Sequence, residues 1–88
     1  MKVEFKAAFS KDLDALSDEK LGLRVRQIIL KLEAAPVLTN FPNLEALKGH
    51  PGHFRIRVGN YRLGLRLLGD IVICVRFLHR REVYRYFP

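Results

Sequence analysis

Tryptophan is absent, cysteine and methionine occur once each, and no apolar run approaches the roughly 18 residues that a membrane-spanning helix requires. A lone cysteine cannot close an internal disulfide, and Cys74, set between Ile73 and Val75, reads as a small buried hydrophobe rather than a reactive thiol. His50, His53 and His79 have no partner cysteines and no helical i, i+4 spacing, so no metal site and no other cofactor is expected. No glycine-rich loop opens a helix and no serine sits in a nucleophile elbow, so nucleotide hydrolysis and acyl transfer lose support. The first residues, Met1 to Lys6, alternate in polarity and form no apolar h-region, so the expected compartment is the cytoplasm, with no membrane partner. At 88 residues the chain is long enough for one hydrophobic core, and residues 1–88 are expected to form a single domain.

Acidic residues are scarce in one half of the chain. Met1 to Leu47 carries seven Lys or Arg and seven Asp or Glu, whereas Lys48 to Pro88 carries nine basic residues against Asp70 and Glu82. The whole formal charge of +7 therefore belongs to the second half. Segregated positive charge points to a polyanionic partner, because a basic surface attracts phosphates and releases their counterions.

Val3 and Phe5 alternate with Lys2, Glu4 and Lys6, the pattern of a short half-buried strand. Ser10 stands where an N-cap is wanted, ahead of Leu13 and Leu16, and predicts a short first helix. Ser17 or Asp18 can cap a second helix with Leu21, Val25, Ile28 and Leu32 on one stripe, ending before Pro36. Residues 36–43 read as a loop, and 48–52 as a second irregular stretch. From His53 onward the period is two. Gly59-Asn60 suits a two-residue hairpin turn, which pairs Val58 with Tyr61, Arg57 with Arg62, Ile56 with Leu63, Arg55 with Gly64, Phe54 with Leu65 and His53 with Arg66. One face then collects Phe54, Ile56, Val58, Tyr61, Leu63 and Leu65, and the other collects His53, Arg55, Arg57, Arg62 and Arg66. Gly64 leaves a gap in the basic face where a ligand can approach the backbone. For the next strand, a strict two-residue turn at Gly69-Asp70 would bury Arg76. An odd-length loop or a bulge is expected instead, with Ile71, Ile73, Val75 and Phe77 inward and Arg76 beside Arg62. The tail from His79 is expected to return along the sheet edge. The fold class is α+β: an N-terminal strand, then a helical hairpin packed on a small antiparallel sheet.

Arginines, a histidine and Tyr84 and Tyr86 on one sheet face suit metal-free RNA cleavage. Attack of a ribose 2′-hydroxyl on the neighbouring phosphate needs charge neutralisation and two proton transfers. Arginine stabilises charge but cannot act as a base near neutrality, so His79 is the expected titrating group and Tyr84 a base-stacking or proton-moving one.

Leu47-Lys48-Gly49, Phe54-Arg55-Ile56-Arg57-Val58, Gly59-Asn60-Tyr61-Arg62 and His79-Arg80-Arg81-Glu82-Val83-Tyr84 together resemble the successive signatures of the RelE/ParE toxin superfamily. The resemblance covers nearly the whole chain and implies a RelE-like, microbial-RNase-like fold. It implies a toxin of a type II toxin–antitoxin module that cleaves mRNA on the ribosome as a metal-independent endoribonuclease, and a cognate antitoxin. By motif, Arg55 and Arg57 match basic residues of the catalytic face, often lysine in the family. Arg62 matches the transition-state arginine, Arg80 the basic residue closing the last long strand, and Tyr84 the C-terminal tyrosine. His79 joins them as a catalytic candidate, because arginine at 55 and 57 removes a lysine-based proton transfer. Lys48, His53, Arg66, Arg76, Arg81 and Arg85 are the candidate RNA contacts. The same fold also serves ParE-like inhibitors that act on DNA gyrase by protein contact, and members that only bind an antitoxin, so fold alone does not choose among them.

Overall fold

The computed structural model describes all 88 residues. Five strands form one sheet in the order β1-β5-β4-β3-β2, with β1 at Lys2–Phe5, β2 at Leu44–Ala46, β3 at His53–Val58, β4 at Tyr61–Leu68 and β5 at Ile71–His79. Helices α1 (Ala7–Asp14) and α2 (Glu19–Ala34) follow β1, and a single turn, α3 (Val83–Tyr86), follows β5. All pairings are antiparallel except β1 with β5, which is parallel. No helix is long and apolar enough to cross a membrane.

Asp18 caps α2, its carboxylate accepting from the Leu21 N–H at 3.1 Å, a contact worth about 1 kcal/mol. The α2 stripe packs as its spacing predicts, with Val25 and Leu32 buried and Leu21 and Ile28 half-buried. Helix α1 begins four residues earlier than a Ser10 cap would allow, with Lys6 in the cap position and Ser10 inside the helix. The cause is strand pairing: Lys6 still donates to the Cys74 carbonyl at 2.9 Å, and Phe5 stacks on Phe9 at 5.7 Å. The chain therefore passes from strand to helix with no loop in which a serine cap could act.

The β3–β4 register is the one that Gly59-Asn60 dictates, from Val58 opposite Tyr61 to His53 opposite Arg66. Its apolar face joins Phe9, Val25 and Leu32 in one buried cluster with Ile56, Val58, Leu63 and Leu65. The three-residue β2 extends the sheet beyond β3, Leu44 opposite Ile56 and Glu45 opposite Arg55.

On β5 the expected bulge is present, but it sits mid-strand and the turn keeps two residues. Leu68 faces Ile71, pairing runs to Leu65 opposite Cys74, and then Gly64 faces Arg76, leaving Val75 as the extra residue. Before the bulge the inward residues are therefore Val72 and Cys74, not Ile71, Ile73 and Val75. Beyond it Phe77 turns into the core and Arg76 turns out, opposite Gly64 rather than beside Arg62, whose partner is Leu78.

Candidate nucleic-acid interface

The sheet face away from α1 and α2 carries rows of residues in register across β3, β4 and β5. One row is Arg55, Gly64, Arg76; on either side lie Arg57, Arg62, Leu78 and His53, Arg66, Ile73. The gap over Gly64 is not open to a ligand. Phe87 fills it, so that a Cβ on Gly64 would lie 2.8 Å from the phenyl ring. Three buried apolar side chains stand apart from the main core, Ile73, Val83 and Phe87, because the chain end crosses this face instead of following the sheet edge.

Helical geometry explains how that crossing presents its residues. Successive side chains advance by about 100°, so Val83 and Phe87, four apart, point the same way and are buried. Tyr84 and Tyr86 then leave on opposite flanks, and Arg85 stands on the outer crest. The Tyr84 ring lies 4.8 Å from the Arg55 guanidinium, and the Tyr86 ring 5.3 Å from that of Arg76. Both rings remain accessible, at 76% and 50% exposure.

Both of these arginines also have carboxylate partners. Arg55 donates to Glu45 at 3.0 Å across the β2–β3 pair, its side chain only 12% exposed, and its Nε is buried without a partner. Arg76 forms a two-pronged pair with Asp12 of α1, at 2.8 and 3.0 Å, and Asp12 also accepts from the Phe77 N–H at 2.9 Å. The hydrogen bond to Asp12 holds the Arg76 proton more tightly than usual, which outweighs the opposing effect of burial.

Beside Arg55 lies a cleft of about 630 Å³ lined by Glu45, Ala46, Leu47, Lys48, His50, Arg55, Tyr84, Phe87 and Pro88. It gathers Arg55, Tyr84 and Lys48 with two polar residues the sequence did not single out, Glu45 and His50. Register gave no signal for Glu45, because the three-residue β2 has no periodicity to read. His50 looked like a plain loop residue, and the turn that Gly49 and Gly52 make at φ +79° and +78° brings it to the cleft.

The other candidates are spread more widely. Arg62 donates to the carbonyls of Gly59 and Tyr61 at 3.1 and 2.9 Å, while Arg57, Arg66, Arg80, Arg81 and Arg85 are exposed and form no ion pair. His53 donates through Nδ1 to the Pro51 carbonyl at 3.1 Å and lies 5.9 Å from the Phe87 ring. His79 is not on this face. The bulge at Val75 reverses the parity of the strand end, so His79 pairs with Tyr61 on the helix side, edge-on to its ring at 5.5 Å. Its Nδ1 accepts the Arg81 N–H at 3.2 Å, and it shares a pocket with Asp12, Leu16 and Glu82.

Comparison with known proteins bears on this geometry. The family model for the ParE toxin of type II toxin–antitoxin systems, parDE, matches residues 3–84. Toxin RelE3 of Methanocaldococcus jannaschii is 38% identical over 89 residues, with both chains covered completely. This chain belongs to the RelE/ParE toxin superfamily. Among solved structures, the RelB–RelE antitoxin–toxin complex from Methanococcus jannaschii holds a chain 35% identical to this RelE/ParE member, with a TM-score of 0.83 over 97% of this chain and 99% of the other. The YoeB/ParE toxin from Agrobacterium tumefaciens, at 18% identity, shares the fold with a TM-score of 0.74 over 90% and 98% of the two chains. The RelE/ParE sheet is thus carried here with an arginine face, crossed by the short C-terminal turn.

Proposed function

We propose that this protein is the toxin of a type II toxin–antitoxin module, acts in the cytoplasm, and cleaves mRNA at the cleft beside Arg55. The observation that carries the reading is the seating of the Arg55 guanidinium beneath the exposed Tyr84 ring, in a cleft also lined by Lys48 and His50. An unpaired base stacks on the free face of Tyr84. The phosphate beyond it then meets Arg55 and Lys48, which neutralise the charge that grows as the ribose 2′-hydroxyl attacks and the 5′-oxygen leaves. The products are a 2′,3′-cyclic phosphate and a 5′-hydroxyl end. One proton must leave the 2′-hydroxyl and one must reach the departing oxygen. His50 is the imidazole on the cleft, and imidazole both accepts and donates, so His50 takes the role expected of His79. Likeness to a chain solved with RelB supports a cognate antitoxin as the resting partner, and the RelE resemblance supports ribosome-bound mRNA as substrate.

Mapping of transcript ends after brief induction, with translation running or blocked, tests this. The parent is expected to cut within coding regions only during translation. His50→Ala is expected to reduce cutting about 100-fold or more, within the range of a positioned acid or base, and Tyr84→Ala about ten-fold or more, the worth of one stacked base. His79→Ala is expected to cut like the parent. The face also supports a second reading, because its clustered cations are all arginine and the histidine expected among them lies on the other side. A ParE-like gyrase inhibitor needs contact and no proton transfer. Gyrase-linked DNA breaks with intact mRNA would establish that reading and sink the first.

A further inference from the structure

Tyr86 repeats the arrangement of Tyr84 on the other flank of α3. Arg55 and Arg76 are in register with Gly64 between them, so they stand two strands apart, roughly 10 Å. Each guanidinium is held by a carboxylate, Glu45 or Asp12, and each lies against one exposed tyrosine. Phe87 stands between the two stations, over Gly64, and Arg85 rises on the crest between the tyrosines without an acidic partner.

We infer that Tyr86, backed by Arg76 and Asp12, is a second stacking station for an unpaired RNA base. The strand then crosses α3 with one base on Tyr84, another on Tyr86, and a phosphate between them on Arg85. The inference rests on the RNA reading above and deepens it, because it specifies the substrate form. Bases held on opposite flanks of α3 have the turn itself between them and cannot stack on each other, so the site takes a single strand with its bases splayed and rejects a duplex. The Arg76–Asp12 pair explains why this station is firm: a two-pronged pair that is three-quarters or more sheltered fixes the guanidinium 5.3 Å from the ring centre. A tyrosine that merely packed would bury its ring, as Phe87 does.

The test uses the full-length protein and a six-nucleotide single-stranded RNA, 2′-O-methylated so that it cannot be cleaved, carrying 2-aminopurine at each position in turn. Fluorescence quenching of the probe reports stacking. The parent is expected to quench at two positions. Tyr86→Ala is expected to abolish one of them and weaken binding roughly five-fold or more, Tyr84→Ala to abolish the other, and Tyr86→Phe to behave like the parent. Arg85→Ala is expected to weaken binding while leaving both quenched positions in place. The inference is overturned if Tyr86→Ala binds and quenches as the parent does, or if a duplex of the same sequence binds as tightly. Two quenched positions in a protein that never cuts mRNA would sink the cleavage reading and leave the second station standing. Failure of the parent to bind the probe would sink the second station, while cutting of translated mRNA by that same protein would leave the cleavage reading standing.

Discussion

Cys74 sits on β5 with no solvent exposure, and burial pushes its thiol from 9.0 up to about 12. Below pH 9 the thiol is protonated in the folded and the unfolded chain alike, and ionisation has no bearing on stability. Between pH 9 and 12 the unfolded chain releases this proton while the folded chain keeps it, so stability falls as pH rises. The slope is about 1.4 kcal/mol per pH unit. Urea unfolding at pH 8 and pH 10.5 is expected to show the parent losing about 2 kcal/mol more than Cys74→Ala over that interval. Equal losses in the two proteins would mean that the thiol reaches water. Arg55 presents the opposite residue-scale problem. It is charged, its side chain is largely sheltered, and its Nε is buried without a partner. A buried donor without a partner is costly, and an arriving phosphate oxygen is one group that would relieve it.

At the scale of elements, the tail from Val83 to Phe87 and the middle of β4 form one unit. Gly64 is the sheet position under Phe87, and its missing side chain is what lets the phenyl ring settle. Gly64→Ala would drive a methyl carbon into that ring, so it is expected to release the tail much as Phe87→Ala does. Hydrogen exchange of residues 83–88 should rise in either variant with little change in the global unfolding midpoint, because the tail lies outside the main core cluster. The double variant is expected to be little worse than either single one, a non-additivity that a double-mutant cycle measures. Additive effects would mean that the two residues act separately. The same element shows what the sequence could and could not reveal. The β3–β4 register was legible because a turn of two residues that tolerate positive φ fixes every pair behind it. Expecting His79 on the arginine face went against the strand's own period, since a period that turns Phe77 inward turns His79 inward too; what no local pattern marks is that the bulge falls at Val75, which puts Val72 and Cys74 inward in place of Ile71 and Ile73. The seat of Phe87 over Gly64 was not legible either, because it depends on a contact across 23 positions of the chain that periodicity does not report.

At the scale of the molecule, the charge of +7 overstates what the face offers a polyanion. Arg55 and Arg76 each share their charge with a carboxylate, so beyond Arg55 at the cleft the cations without an acidic partner on or beside the face are Lys48, Arg57, Arg62, Arg66, Arg80, Arg81 and Arg85. They do not lie on one line, and a strand crossing α3 reaches roughly half of them. Each phosphate neutralised on single-stranded nucleic acid contributes about −0.7 to the slope of log K against log salt. With three or four such contacts, the uncleavable hexanucleotide is expected to give a slope of roughly −2 to −3. Arg85→Ala should make that slope shallower by about 0.7, because it removes one phosphate contact and no stacking surface. Lys20→Ala, on the exposed side of α2 in the charge-balanced half, should leave it unchanged. Titrations between 50 mM and 300 mM salt read these slopes directly. A parent slope near zero would mean that the basic face does not hold phosphates, and the segregated charge would then have to serve an acidic protein surface instead.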